Sequence, residues 1–176
     1  HLLKKWWAAL AVLGLLGIGL AAAGNTSVQA ASKDNGEFKV GMEAGYAPFN
    51  WTQSDSSNGA VKIQGSNEYA NGYDVQIAKR IAKALGKTPV VVKTDWDGLP
   101  PALTSGKIDA IIAGMSPTPE RRKTIDFTNT YYVSNMTMVV RKDGKYANAT
   151  SLKDFKGAKI TGQLSTSDYD AISQIK

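Results

Sequence analysis

GKIDAIIAGMSPTPERRKTIDFTNTYY, residues 106–132, holds a strand, a turn and a helix start in one stretch. Residues 108–113 form a short apolar, β-branched run, long enough for a buried strand. Gly114-Met115-Ser116-Pro117 is a turn at the carboxyl end of that strand. Thr118 then reads as an N-cap, Pro119 as the first helical position and Glu120 as an acid in the first turn. Open α/β sheets bind ligands beyond the carboxyl ends of their strands. A helix N-terminus offers unpaired N–H groups to an anion, and Arg121 adds a planar fork suited to a carboxylate. The local chemistry therefore suggests a small-anion or carboxylate site. The plainer alternative is that Thr118 and Pro119 only start a helix and Arg121 is a solvated surface charge.

Outward from this stretch, strands and helices alternate. Residues 38–42 read as the first strand. Residues 43–49 read as an irregular loop, stiffened by Pro48 and carrying aromatics. Residues 50–69 are polar and rich in Gly, Ser and Asn, and are expected to be an exposed loop or ragged hairpin serving as a spacer. Over residues 73–85 Val75, Ala78, Ile81, Ala82 and Leu85 share one helical face, and Gly86 is placed to end the helix. Asp74, near its start, complements the helix dipole, a structural role before a functional one. Residues 89–93 are a β-branched strand. Residues 98–105 form a short helix whose prolines fit only its first turn, and residues 124–127 follow as a strand. This order indicates an α/β lobe with a mostly parallel sheet.

Residues 133–141 are extended and suited to crossing between two lobes. The pattern then restarts: a short helix at 151–155 with a Ser-x-x-Asp cap, a strand at 158–161, a loop at 162–166 and a helix from Ser167. The expected organisation is a first α/β lobe over residues 31–138 and the incomplete start of a second over 139–176. Some 146 residues after the leader suffice for one full core and the beginning of another.

The leader is residues 1–30. Lys4 and Lys5 precede an uncharged run over residues 6–23, and Val28-Gln29-Ala30 fits the small-x-small cleavage rule, so the mature protein is expected to start at Ala31. The run is also nearly long enough to span a bilayer, which leaves a retained anchor as the alternative. Either route exports the globular part to the extracellular side or the cell surface. The chain has no cysteine, which excludes disulfides, thiolate metal sites, cysteine nucleophiles and a lipid anchor on an N-terminal Cys. His1 is the only histidine, so the mature domain holds no Ser-His pair and no His-metal site. No cofactor or metal is expected. Loss of Lys4 and Lys5 takes the formal charge from +6 to +4. The basic residues are interspersed with acids except at Arg121-Arg122-Lys123, so nucleic acid is not the expected partner.

Several short segments recur together in a known family. They are Val40-Gly41, Tyr46-Ala47-Pro48-Phe49, Gly72-Tyr73-Asp74-Val75 with Ala78-Lys79, then Trp96, Leu99, Leu103 and Gly106-Lys107-Ile108-Asp109. The strongest is Ala113-Gly114-Met115-Ser116-Pro117-Thr118-Pro119-Glu120-Arg121, followed by Asp126-Phe127-Thr128 and Tyr131-Tyr132. In order, in spacing and in the export signal that precedes them, they make the chain resemble the extracellular solute-binding proteins of the polar amino acid class (family 3). These are the receptor components of ABC importers, and the resemblance runs from about Phe38 to the end.

The resemblance implies a two-lobed α/β clamp of the type II periplasmic-binding-protein fold, with the first lobe nearly complete and the second truncated. Such a monomer closes on a free amino acid and delivers it to a membrane permease. The arginine matching Arg121 holds the ligand's α-carboxylate, and groups matching Gly114 and Ser116 hold carboxylate and amino group. Aromatics matching Tyr46 and Trp96 pack on the ligand side chain, while Phe49 belongs to the core. Glu43 matches an acid that reaches the distal nitrogen of basic or amide ligands, which points to arginine, lysine, histidine or glutamine. Ser165 and Thr166 match second-lobe contacts, although Leu164 stands where many relatives have glycine. The loop over 50–69 is longer than usual, and the acid that pairs with the ligand's amino group is expected beyond Lys176. Two other functions fit the same pattern: an amino-acid-sensing domain of a receptor or channel, and an enzyme of the dehydratase or lytic transglycosylase type. The enzyme needs a general acid, for which Glu43 is the one good position.

Overall fold

The computed structural model describes residues 36–175, and the leader expected over residues 1–30 lies outside them. In chain order the strands are β1 (Glu37–Met42), β2 (Gly45–Tyr46), β3 (Asn50–Gln53), β4 (Val61–Lys62), β5 (Tyr69–Asn71), β6 (Thr88–Lys93) and β7 (Ala110–Ile111). The helices are α1 (Tyr73–Ala84), α2 (Leu99–Thr104) and α3 (Ser167–Ala171). β6, β1 and β7 make a parallel sheet with β1 in the middle. Strand residues point alternately to the two faces, and β1 uses both. Val40 and Met42 are fully buried in a cluster with Val75, Ala78 and Ala82 of α1. Gly41, between them, faces the other way, where a Cβ would meet Leu99 of α2 and Ile108. β1 therefore lies between α1 and α2, and glycine is what lets α2 approach it.

The chain leaves β1 through α1 to β6 on one side, then returns through α2 to β7 on the other. The strand order thus reverses at β1, and the crevice at such a reversal is where open α/β sheets place their ligands. β7 is shorter than the apolar run over 108–113 suggests, although Ile108, Ile112 and Ala113 are all buried. Asp109 explains the difference. Its Oδ2 accepts the Lys39 N–H at 2.8 Å while its own N–H donates to the Lys39 carbonyl at 2.8 Å, so a side chain takes over part of the ladder.

α1 begins without a side-chain cap. Gly72 precedes it at φ 125°, and the first two helical N–H groups, of Tyr73 and Asp74, donate to the Pro48 and Phe49 carbonyls at 3.1 and 2.8 Å. A neighbouring loop thus satisfies donors that a helix start ordinarily leaves open. The apolar face is narrower than its spacing indicates, because Ile81 and Leu85 remain exposed while Val75, Ala78 and Ala82 are buried.

Residues 50–69 are not a spacer. β2, β3, β5 and β4 form a second, antiparallel sheet, and Ile63 bridges to Val91 of β6. Val61, Ile63 and Ala70 are buried in the main core. Turn residues surround these few apolar positions, and the strands are too short for periodicity to register. Three other expected elements differ. The helix after Pro119 is a single 3-10 turn, Arg121–Lys123. Residues 124–127 and 158–161 form no strand, although Ile125 is buried. For the two expected strands the local pattern is present, but no neighbouring strand pairs with it among the described residues. The helix at 151–155 is also a 3-10 turn, Leu152–Phe155, with its expected cap: Asp154 Oδ2 accepts from the Ser151 N–H at 2.8 Å. α3 follows where a helix was expected.

Candidate functional site

Three strand ends supply one side of the site. Glu43 follows β1, Trp96 sits in a 3-10 turn shortly after β6, and Gly114 and Ser116 follow β7. Arg121 is brought back over them by its own 3-10 turn, whose entry is fixed by the Thr118 hydroxyl accepting the Arg121 N–H at 3.2 Å. The other side is the loop before α3. Thr166 caps that helix, accepting from the Tyr169 N–H at 3.1 Å and donating to the Gln163 carbonyl at 2.7 Å.

The Arg121 guanidinium is held on three sides. One terminal nitrogen donates to the Ser116 carbonyl at 2.8 Å and the other to the Ser165 carbonyl at 3.0 Å. Its carbon lies 5.3 Å from the centre of the Trp96 ring, within cation–π range. The Trp96 indole N–H also donates to the Ser165 carbonyl, at 2.9 Å. Burial pushes the guanidinium's pKa below its ordinary value, and nearby Asp170 partly restores it; an arginine remains charged throughout.

Tyr46 lies elsewhere in the crevice. Its ring stacks on Phe49 at 5.2 Å, and a Cβ on Gly114 would come 3.5 Å from it. Phe49 is packed in turn on Tyr73 and Tyr132, but it is only half-buried and lines the cleft instead of joining the core expected for it. Gly114, at φ 64°, adopts the left-handed backbone that glycine accepts without strain. Its N–H faces the Tyr131 hydroxyl at 3.4 Å, and that hydroxyl donates to buried Asp74 at 2.7 Å. Burial raises the Tyr131 phenol above its ordinary pKa, and the hydrogen bond to Asp74 raises it further.

Glu43, Tyr46, Trp96, Gly114, Ser116, Arg121 and Thr166 all line one cleft of about 1930 Å³. That exceeds the roughly 300–1,000 Å³ of an ordinary small-molecule pocket, so the cleft is broad and open. Ser165 reaches it through its carbonyl. Two contacts had no signal in the sequence. Gln163 Nε2 donates to Glu43 Oε1 at 3.0 Å across 120 residues of chain, and Tyr131 links Gly114 to Asp74. Tyr131 stood in a recognisable segment, but nothing local marked its hydroxyl as a partner. Among the described residues no group of acids and histidines is arranged to hold a metal, and no helix is long and apolar enough to cross a membrane.

Proteins with similar sequences are named for the amino acids they bind. The chain is 33% identical over 162 residues to the arginine-binding extracellular protein ArtP of Bacillus subtilis, covering 91% of this chain and 56% of that protein. It is 34% identical over 178 residues to a probable histidine-binding protein of Campylobacter jejuni, covering 99% of this chain and 63% of that protein. Among solved structures, an ancestral arginine-binding protein bound to glutamine superposes with a TM-score of 0.66 at 36% identity, over 80% of this chain and 56% of that one. The arginine-bound truncated arginine-binding protein of T. maritima gives 0.64 at 33% identity, over 79% of this chain and 59% of that one. The fold is therefore that of the type II periplasmic binding proteins. The chain spans little more than half the length of these relatives. Residues 38–174 match the profile of the bacterial extracellular solute-binding proteins, family 3, and the chain belongs to that family.

Proposed function

We propose that this chain captures a polar or basic amino acid (arginine, lysine, histidine or glutamine) outside the cell and delivers it to the permease of an ABC importer. The observation that carries the reading is the Arg121 guanidinium, braced by the Ser116 carbonyl and the Trp96 ring, at the carboxyl ends of the parallel strands. In this reading Arg121 pairs with the α-carboxylate, assisted by Gly114 and Ser116. Trp96 and Tyr46 cover the ligand's side chain, Glu43 receives its distal nitrogen, and Ser165 and Thr166 close over it. Residues 31–138 act as the first lobe and residues 139–176 as the start of the second. The protein works as an exported monomer, with capture and closure as the whole mechanism and no bond chemistry. Relatives named for arginine and histidine support a basic ligand.

Thermal unfolding of the full-length gene product against the twenty amino acids tests this. A ligand at 100 times its dissociation constant adds about 2.7 kcal/mol of stability. The expected result is a clear upward shift with one or more of the four named amino acids, abolished in Arg121→Ala. A well-folded protein that responds to none of the twenty overturns the reading.

A further inference from the structure

Both polar ends of the cleft are taken by one short segment of the chain itself. At one end the Ser165 carbonyl accepts from Arg121 at 3.0 Å and from the Trp96 indole at 2.9 Å. At the other the Gln163 amide donates to Glu43 at 3.0 Å. The segment is tied down by the Thr166 hydroxyl, which donates to the Gln163 carbonyl at 2.7 Å. Ser165 sits at φ 61°, a left-handed conformation that side-chain-bearing residues adopt only when the surroundings hold them there. An acceptor on the guanidinium and an N–H donor on the carboxylate reproduce the polarity of an amino acid with a donor at its tip.

We propose that residues 163–165 are an internal stand-in for the ligand, and that Gln163 determines selectivity by competing for Glu43. The inference rests on the amino acid reading above. Charge makes the exchange one-directional. A carboxylate binds a guanidinium more strongly than a neutral carbonyl does, and a guanidinium or ammonium binds Glu43 more strongly than a neutral amide does. An amino acid with a cationic tip therefore displaces both ends of the stand-in. One with an apolar tip displaces only the Ser165 carbonyl and leaves Gln163 on Glu43. Gln163 thus taxes the ligands that use Glu43 and spares those that do not.

Two measurements on the full-length protein decide it. In titration calorimetry, Gln163→Ala should bind arginine and lysine about two- to fivefold more tightly, the upper part of the range of one exposed charge-assisted contact. Alanine and leucine should change by less than about twofold. Arginine binding that is weakened or unchanged by the substitution overturns the proposal. The second measurement needs no amino acid. Residues 1–176 hold no cysteine, so Lys107→Cys and Lys153→Cys, with any cysteine outside them replaced by serine, accept a pair of spin labels without background. Gln163→Ala combined with Trp96→Phe should broaden the interlabel distances in the amino-acid-free protein. Distances identical to those of the labelled parent overturn the stand-in. If the parent bound no amino acid, the amino acid reading would fail, and the label distances would still judge the stand-in by themselves.

Discussion

Asp74 is fully buried, and its carboxylate accepts from Tyr131 Oη at 2.7 Å and Asn50 Nδ2 at 2.8 Å. Burial raises its pKa above the ordinary carboxylate value, and these two donors only partly offset that. A folded-state value above the unfolded one means that the proton favours the fold. The contribution is complete below about pH 4, the unfolded value, and is lost as pH rises through the folded one. Asp74→Asn removes this dependence at little geometric cost. The new amide can donate to Asn50 Oδ1, a buried oxygen that has no hydrogen-bond partner among the described residues, once the Asn50 amide turns over. In urea unfolding from pH 4 to 7.5, wild type should lose stability relative to Asp74→Asn as pH rises. A difference that stays constant with pH would show that Asp74 does not titrate in this range. The sequence placed Asp74 correctly in the first turn of a helix, but it did not show the groups that hold its carboxylate. Its partners lie 24 and 57 residues away, and no local spacing carries that information.

The second sheet is the element that local pattern concealed. Ile63 is 2% exposed and bridges to Val91 of the parallel sheet, so with Val61 it anchors the polar stretch around it to the main core. Ile63→Ala should cost about 2–5 kcal/mol, the range for emptying a buried aliphatic site. A chemical denaturation midpoint within error of wild type would mean that Ile63 adds nothing to the core in which it is buried. β1, α1 and β6 were legible because each buries a continuous face whose period is local to the strand or helix. Residues 124–127 and 158–161 carried the same kind of signal without becoming strands, since a strand also needs a neighbour. The same limit applies to the site. The turn after β7 and Arg121 were visible as a unit, being contiguous. The contacts of Gln163 with Glu43 and of Ser165 with Trp96 arise only when two remote loops meet.

Among the described residues, every strand and the two longer helices precede residue 133. Val133 and Val139 are 83% and 95% exposed, and the extended run between them pairs with no strand among the described residues. Arg141 and Lys142, at its end, are exposed as well. Trypsin at low ratio should therefore cut first at Arg141 or Lys142, and mass spectrometry of the early fragments reads this directly. First cuts inside α1 or β6 would argue against residues 31–138 as a separable lobe. Amino acid binding that joins the two sides of the cleft should slow the cut, because closure stabilises the crossover it spans.

The indole of Trp96 lies against a cation and donates its N–H to a carbonyl on the opposite wall of the cleft. Trp6 and Trp7 fall within the expected leader, so between Ala31 and Lys176 the light-emitting indoles are those of Trp51 and Trp96. Displacing the Ser165 carbonyl would change the electric field and the hydrogen bond felt by one of those two. The spectrum of the unlabelled protein should then shift with occupancy, so that each molecule carries its own optical gauge of whether the site is filled.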